Sequence, residues 1–288
     1  MTHRPLPSFT SPAAGAAPGM ARRRLLAAAA VGLAGGSLGL PTRAATPAQP
    51  SAPQAGRRID EVADFSDVDI LSLVYKVAAG ARIALPPGVE HDGSGAAVVS
   101  FVRYGMTGVG SYREVLQSVP VRHEGAAASY VLNIYVDNEQ SMIEGREWLG
   151  WPKLLADISF DAERVEMSSL VTASVRRPAD VPAAYAQFQP VRRMDAAALG
   201  AAASTTLNRR TVRAVSQEQP PVVDELVPSV MKVISGELWS GNGSLALTGF
   251  SEFAPFHHAP VGQVLGATLL RKARLQLVMP RRSYPIKK

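Results

Sequence analysis

The chain has 288 residues and no cysteine, which excludes disulfide bonds, thiolate nucleophiles and Cys-ligated metal sites in one step. Its 30 basic residues exceed its 24 acidic residues, but five arginines and no acid lie within residues 1–44. The rest of the chain therefore carries 25 basic against 24 acidic residues, a balance that argues against a nucleic-acid partner.

Residues 1–44 have the pattern of an export signal. Three arginines at 22–24 precede an apolar run over residues 25–40, and small residues follow around Ala44. This order of regions is typical of a secretory signal, and the paired arginines resemble the twin-arginine type. The alternative is a membrane anchor, but a spanning helix needs about 20 apolar residues and this run is shorter. We predict cleavage after Ala44, a periplasmic or secreted protein and no stable membrane insertion.

Residues 45–66 are predicted to be a flexible linker, because the stretch is rich in Pro, Ala, Gln and Ser up to about Arg58. No internal break resembles a linker over residues 67–288, so one domain is predicted there. Runs that alternate apolar and polar residues, separated by Gly and polar turns, are typical of antiparallel strands. The predicted strands cover residues 68–77, 98–106, 112–121, 128–136, 170–175, 245–250 and 267–279.

Helical signals are weaker than strand signals. Asp137 or Asn138 is predicted to cap a helix that passes Met142 and ends at Gly145, and a second helix is predicted over residues 196–203. The sequence lacks the strand–helix alternation of a nucleotide-binding sheet. The predicted fold class is therefore α+β and β-rich, with antiparallel sheets that close into a barrel-like fold with a few short helices.

Two patterns that suggest a ligand are set aside. Residues 105–110 read Gly-Met-Thr-Gly-Val-Gly, but a strand follows instead of the helix N terminus that holds a phosphate, so a tight turn is predicted. His257 and His258 are adjacent, and neighbouring residues on a strand point to opposite faces, which does not suit metal ligation. We predict no metal and no cofactor.

Lys153 is the first candidate catalytic residue. It follows Pro152 in an apolar stretch that contains two of the three tryptophans, Trp148 and Trp151. Loss of water disfavours the ammonium form and lowers the pKa of such a lysine, and a neutral amine condenses with ketones to form a Schiff base. The alternative is an ordinary amphipathic lysine whose stem covers apolar surface while its head reaches solvent.

Glu114 is the second candidate catalytic residue. It lies near the start of an otherwise apolar strand, and alternation places it on the same face as Tyr112. If that face points inward, Glu114 is a buried carboxylate that requires a partner or a function. If the face points outward, Glu114 is an ordinary solvated side chain.

Taken together, these residues resemble the acetoacetate decarboxylase family. Residues 133–139 read Asn-Ile-Tyr-Val-Asp-Asn-Glu, residues 145–147 read Gly-Arg-Glu, and residues 151–153 read Trp-Pro-Lys. Upstream, residues 110–114 match the family's Gly-x-Tyr-x-Glu, and residues 269–281 resemble its closing strand and Pro-Arg end. The resemblance covers most of residues 68–285 and is tightest over residues 110–153.

The resemblance implies a homo-oligomeric enzyme that acts on a small-molecule oxo-acid. Lys153 would form a Schiff base with a β-keto acid, most simply for decarboxylation, while Glu114 would carry protons or position the imine. Tyr112 and Trp151 would shape the substrate pocket. Two alternatives stay open: an aldolase- or dehydratase-type lyase that uses the same lysine on another oxo-acid, and a non-catalytic ligand-binding barrel.

The chain departs from the family's decarboxylases at two positions. Leu154 stands where they carry a second lysine, and Val68 stands where they carry an arginine thought to meet the substrate carboxylate. Acetoacetate decarboxylase itself is a standard example of a lysine activated by desolvation or by a neighbouring cation. Here an apolar pocket around Trp151, Leu154 and Leu155 is expected to supply the activation. Arg146 and Glu147 are predicted to be paired charges with a structural role.

Overall fold

The computed structural model describes residues 61–160, 162, 166, 169–195 and 203–286. The predicted signal over residues 1–44, the linker up to residue 60 and the predicted helix over 196–203, apart from Ala203, lie outside the described residues. The described residues form one α-helix, α1 (Glu139–Leu149), and a 3₁₀ helix, Phe256–His258. They also form thirteen strands: β1 (Val62–Val77), β2 (Val89–His91), β3 (Ala96–Met106), β4 (Tyr112–His123), β5 (Ala126–Val136), β6 (Lys153–Leu155), β7 (Asp157–Phe160), β8 (Val171–Arg176), β9 (Pro182–Arg193), β10 (Ala203–Val212), β11 (Val223–Leu247), β12 (Val261–Val278) and β13 (Tyr284–Pro285).

Seven of the described strands form a ring. Their order is β10–β5–β4–β3–β1–β12–β11, and β11 pairs again with β10. The pairings are antiparallel except for a short parallel contact between β10 and β5, which joins Thr206 to Ser129 and Leu207 to Tyr130. The first and last long strands are neighbours, with Val62 opposite Val278. The predicted β-rich, barrel-like fold class is confirmed.

A second layer of strands covers part of the outside of the ring. Residues 239–247 of β11 pair with β9, and β8 and β7 follow in order. Ile158 and Phe188 from this layer share a buried apolar cluster with Leu73, Phe101 and Val115 from the ring. Side chains of the opposite orientation on the ring strands point into its interior, since successive residues of a strand face opposite sides.

The predicted strands agree with the structure over five of the seven ring strands and over β8 of the outer layer. Six of the seven overlap β1, β3, β4, β5, β8 and β12, whereas 245–250 overlaps only the end of β11. The prediction missed β9, β10 and most of β11. The first strand begins at Val62, so residues 62–66 of the predicted linker belong to the sheet.

Helix α1 begins where the sequence predicts and ends later. Asn138 caps it, because its side chain accepts a hydrogen bond of 2.8 Å from the backbone nitrogen of Ser141. The predicted end at Gly145 is wrong, since the helix continues to Leu149 and Gly150 forms a left-handed cap with φ of 66°. Gly145 is therefore an interior helix residue.

The glycine-rich segment 105–110 forms a tight turn, as predicted. The backbone nitrogen of Gly110 donates to the carbonyl of Thr107 at 3.2 Å, and β4 follows at Tyr112 without an intervening helix. Among the described residues, no helix combines the length and the apolar character needed to cross a membrane.

Candidate active site

Lys153 lies at the start of the short strand β6, which is held between the ring and helix α1. Its backbone pairs with Ile134 of β5 in parallel register. Arg146 of α1 donates from Nη1 to the carbonyl oxygen of Lys153 at 3.0 Å. The backbone nitrogen of Trp151 donates to the carbonyl of Gly145, also at 3.0 Å. Arg146 thus fixes the backbone of the lysine, a role different from its predicted pairing with Glu147.

The Lys153 side chain points inward and forms an ion pair with Glu114. The distance from Nζ to Glu114 Oε2 is 2.7 Å, and the two side chains are 2% and 3% exposed. Nζ also donates to Ser141 Oγ at 2.9 Å. Burial disfavours two separated charges, whereas a partner at this distance stabilises them. The lysine and glutamate are therefore a coupled pair rather than two independent charges.

Aromatic rings enclose this pair. Lys153 Nζ lies 4.6 Å from the ring of Trp151 and 5.5 Å from that of Tyr112. Tyr112 stacks on Tyr104 with ring centroids 4.6 Å apart, and the Tyr104 hydroxyl donates to Glu114 Oε1 at 3.4 Å. Burial, and then the negative charge of Glu114, raises the pKa of Tyr104 and of Tyr112 well above the usual range. Both phenols therefore remain protonated hydrogen-bond donors at neutral pH.

Gly145 makes room for the lysine on the surface of helix α1. A Cβ at this position would lie 2.7 Å from Lys153 Cδ and 2.8 Å from Cε, closer than side-chain atoms can approach. The stem of Lys153 therefore runs across the helix at the one residue without a side chain.

The apolar surroundings of Lys153 differ from those predicted. Trp148 is 46% exposed and Leu155 is 40% exposed, so neither forms a wall around the amine. Leu154 packs against the core on the outer side of the ring. The water around the amine is instead displaced by Trp151, by Tyr112 and by the close approach of α1 at Gly145.

A cavity of about 460 Å³ fills the interior of the ring. Glu114, Tyr104 and Trp151 line one end of it. Lys153 is not among the described lining residues, but its Nζ contacts Glu114 Oε2 at 2.7 Å. Tyr112 is not among the described residues that line this cavity; it supports Tyr104 from behind. The walls are largely aliphatic and include Ile70, Val74, Val98, Leu116, Val131 and Leu270.

The position of the family's arginine holds an apolar side chain in the structure. Val68 is fully buried, in the same apolar cluster as Tyr112 and Trp151. Arg103 on the neighbouring strand is bound by acids: Nη2 lies 2.6 Å from Asp69 Oδ2 and Nη1 lies 3.1 Å from Asp67 Oδ2. These contacts engage Arg103 away from the Lys153–Glu114 pair.

Sequence reasoning proposed Lys153 and Glu114 as candidates, and the structure brings the two together, but three residues that contact them were not predicted. Tyr104 lies opposite Tyr112 in the β3–β4 hairpin, which pairing across the turn at 107–110 would have indicated. Ser141 follows the helix cap, and its hydroxyl faces Lys153 only because α1 packs on β6. Gly145 would have indicated a close contact on the helix surface only if the helix had been known to continue past it.

The structure also gathers Glu252, His257 and His258, with one potential ligand atom from each within 4.8 Å of the others. The prediction that adjacent histidines diverge assumed a strand, whereas these two lie in a 3₁₀ helix with ring centroids 4.4 Å apart. None of the three lines the cavity inside the ring.

Comparison of the sequence with known families gives one result that spans most of the chain. The sequence model of the family described as acetoacetate decarboxylase (ADC) matches residues 45–280. "Decarboxylase DEC1" of Cochliobolus heterostrophus is 30% identical over 210 residues, which cover 73% of this chain and 83% of that protein. An acetoacetate decarboxylase of Clostridium beijerinckii is 32% identical over 139 residues, or 43% of this chain and 55% of that protein.

Solved structures share the fold at lower identity. The acetoacetate decarboxylase of Legionella pneumophila superposes with a TM-score of 0.65 and 20% identity, over 82% of this chain and 93% of that chain. The enduracididine biosynthesis enzyme MppR, solved with the condensation product of pyruvate and imidazole 4-carboxaldehyde, gives a TM-score of 0.62 and 17% identity. That match covers 78% of this chain and 89% of MppR.

Proposed function

This chain belongs to the acetoacetate decarboxylase family, and from that premise we propose that it is a lyase that decarboxylates a β-keto acid through a Schiff base on Lys153. The observation that carries the proposal is the buried pair of Lys153 and Glu114, 2.7 Å apart at the closed end of an apolar cavity. Burial and an adjacent base are two ways in which proteins activate a nucleophilic side chain, and this lysine has both.

Glu114 is proposed to accept the proton that makes Lys153 nucleophilic. Transfer of one proton from Nζ to Oε2 converts an ion pair into a neutral amine and a neutral carboxylic acid, with no change in net charge. Burial disfavours the charged form of each group, so the desolvated pair favours this transfer more than water does. Ser141, which accepts from Nζ at 2.9 Å, keeps the amine oriented.

In the proposed reaction, a protonated imine accepts the electron pair of the bond that breaks. The amine nitrogen attacks the ketone carbon, and loss of water leaves a protonated imine. The bond between the α-carbon and the carboxylate breaks, its electron pair moves to the imine nitrogen, and CO₂ leaves an enamine. Glu114 gives its proton to the hydroxyl group that leaves as water, so a proton from solvent, relayed by Glu114 or by Tyr104 hydrogen-bonded to it, then reaches the α-carbon. Water hydrolyses the resulting imine and releases the ketone.

The substrate carboxylate meets few charges at this end of the cavity. Val68 offers no hydrogen bond, and Trp151 Nε1 is buried without a hydrogen-bond partner among the described residues. This N–H is the donor that we propose for the carboxylate. A single neutral donor leaves the carboxylate poorly solvated, which favours its departure as uncharged CO₂.

A second candidate function is an aldolase- or dehydratase-type lyase that uses the same lysine on another oxo-acid. The apolar Val68 at the arginine position favours it, and the fold is also that of MppR, whose structure contains a pyruvate condensation product. The two functions differ in whether CO₂ is released. A ligand-binding protein without catalysis differs from both, because its lysine would not be trapped.

Borohydride reduction in the presence of β-keto and α-keto acids tests the proposal. We expect a substrate-mass adduct on the peptide that contains Lys153, release of CO₂ from the β-keto acid, and loss of both in Lys153→Met. Lys232→Met, which removes an exposed lysine of β11, is the control and should keep the adduct. An adduct without CO₂ release would favour the second function. The absence of any adduct would favour the interpretation that the protein binds a ligand without catalysis.

A further inference from the structure

The cavity inside the ring extends far beyond the space that a small keto acid needs at Lys153. Along β4, the alternate residues from Glu114 through Ser118 to Arg122 all line it. At about 3.3 Å per residue this is roughly 26 Å of strand, or about 20 Å along the axis of a ring with tilted strands. The cavity is thus a long lumen with the Lys153–Glu114 pair at one end.

The two ends of the lumen differ in exposure. Tyr104, Glu114 and Trp151 at the lysine end are 4%, 2% and 9% exposed, so that end is closed. Asp92 and Arg122 line the other end and are exposed. A substrate that enters there must place its reactive head inside and leave the rest of the molecule in the lumen.

The wall of the lumen suits an aliphatic chain. Charged residues among the described lining lie only at its ends: Glu114 at one, and Asp92 and Arg122 at the other. Four of the serine and threonine hydroxyl groups between them form two hydrogen-bonded pairs. Ser72 Oγ lies 2.9 Å from Ser100 Oγ, and Thr206 Oγ1 lies 2.6 Å from Ser229 Oγ. Paired hydroxyls do not require a polar ligand, since their hydrogen bonds are already made.

We propose that the substrate is a β-keto acid with a medium or long aliphatic tail, which lies along the lumen while the keto-acid head reaches Lys153. A cavity of about 460 Å³ falls in the range of ~300–1,000 Å³ that accommodates ligands much larger than acetoacetate. The position of the head depends on the proposed function, whereas the position of the tail depends on the lumen alone.

Binding of unreactive acids tests the tail separately from the chemistry. Hexanoate, decanoate and tetradecanoate are titrated into the wild-type protein, and their dissociation constants are compared. Full burial of one methylene strengthens binding by about fourfold, so the four additional methylenes of decanoate contribute up to about 250-fold. Even with partial burial, decanoate should bind at least about tenfold more tightly than hexanoate. Equal affinities for the three acids would overturn the proposal.

A variant that narrows the lumen at mid-length sharpens this test. Val98 is half-buried and lies between Val74 of β1 and Ser118 of β4, so Val98→Phe should weaken decanoate binding at least about tenfold while hexanoate changes little. Val191→Phe makes the same change at an exposed position of β9 and should bind both acids as the wild type does. Identical decanoate affinities in the two variants would place the tail outside the lumen.

Borohydride trapping then separates the two proposals. Adducts on Lys153 that form more readily with 3-oxododecanoate than with acetoacetate would support both. Decanoate binding without any adduct would support the lumen and overturn the Schiff-base function. Adducts that favour acetoacetate, with no gain for longer acids, would keep the function and overturn the long-chain substrate.

Discussion

Lys153 and Glu114 are buried together, and this shared burial determines their chemistry. Each charge alone would be costly to bury, and together they offset that cost. The carboxylate accepts from the Tyr104 hydroxyl while Nζ donates to Ser141, so both partners keep hydrogen bonds when a substrate separates them. At the residue scale, the stability of each charge therefore depends on the other. Single and double substitutions can measure this interaction.

Removal of one partner of the pair should cost more stability than removal of both. Glu114→Gln leaves a buried amine without its counter-charge, so we expect it to lower the free energy of unfolding by up to about 3–5 kcal/mol. Adding Lys153→Met should restore part of that loss, because no unpaired charge remains. Urea denaturation at neutral pH measures each variant.

The exposed pair of Asp157 and Arg176 provides the control for that comparison. Its side chains are 46% and 51% exposed, and Asp157→Asn should change the free energy of unfolding by less than about 1 kcal/mol. Strictly additive effects of Glu114→Gln and Lys153→Met would show that the two side chains do not interact in solution.

Gly145→Ala should separate activity from stability. Alanine at an interior helix position ordinarily stabilises a protein by up to about 1 kcal/mol relative to glycine. Here the new methyl group would occupy the space of Lys153 Cδ and Cε. We expect a folded protein whose rate of imine trapping falls about 100-fold, the loss typical of a misplaced reacting group.

Glu147→Ala changes an exposed residue of the same helix and should trap substrate at the wild-type rate. Unchanged trapping in Gly145→Ala would mean that the lysine does not need the path across the helix.

At the scale of elements, hydrogen bonds from helix α1 link its N-terminal cap, Asn138, to the proposed nucleophile, Lys153. Asn138 accepts from the backbone of Ser141, Ser141 accepts from Lys153 Nζ, and Arg146 holds the lysine carbonyl. The segment of residues 137–153, recognised in the sequence as a series of motifs, is one structural unit that presents Lys153 to β4.

Strand β11 shows the opposite case, where local sequence misleads. It contains Pro228 and Gly241, residues that usually mark turns, yet it runs continuously over Val223–Leu247. A Cβ at Gly241 would collide with the carbonyl oxygen of Gln189 and lie 2.7 Å from the Phe188 ring. The glycine therefore permits a close approach of β9 and does not end a strand.

Gly241→Ala is expected to lower the free energy of unfolding by at least about 1–3 kcal/mol, the usual cost of overpacking. Chemical denaturation measures the change, and Lys232→Ala on an exposed part of the same strand should be nearly neutral. A stable Gly241→Ala protein would indicate that β9 and β11 can separate without cost.

The sequence predicted the elements whose pattern is local and missed those that depend on distant neighbours. The alternating runs of β1, β3 and β4 face a core on one side and the lumen on the other, so their periodicity was clear. Lys153 and Glu114 were predicted as candidates because each lies in a short motif whose residues are consecutive in the chain. Tyr104, Ser141 and the lumen itself arise from strand register and helix packing, which no single segment encodes.

At the scale of the whole molecule, buried tyrosines link stability to alkaline pH. Burial raises the pKa of five of the seven tyrosines above the ordinary value of 10.0; they are Tyr75, Tyr104, Tyr112, Tyr130 and Tyr135. Above pH 10 the unfolded chain loses these phenolic protons while the folded protein keeps them. The stabilisation present below pH 10 is therefore lost as pH rises towards the folded-state values.

The free energy of unfolding should fall above pH 10 by up to about 1.4 kcal/mol per pH unit for each of these tyrosines. Denaturation at several pH values measures the slope, and tyrosinate absorbance should rise mainly as the protein unfolds. Complete tyrosinate formation with native circular dichroism near pH 11 would contradict this prediction.

We also propose that residues 1–44 direct export by the twin-arginine route. Replacement of Arg22 and Arg23 by lysine keeps the charge but removes the paired arginines, and should leave the protein in the cytoplasm on cell fractionation. Arg43→Lys, near the predicted cleavage position, should not affect transport. Export of the Arg22→Lys/Arg23→Lys variant would contradict the twin-arginine assignment.

The pairing of β1 with β12 affects how this protein folds during its synthesis. The first long strand to leave the ribosome stays without one of its neighbours until almost all of the chain has been made; Gln276 Nε2 donates to Asp64 Oδ1 across 212 residues. Folds dominated by such distant contacts assemble slowly. The nascent chain must therefore be protected from aggregation throughout its synthesis, and a truncation before Val261 would leave the ring open.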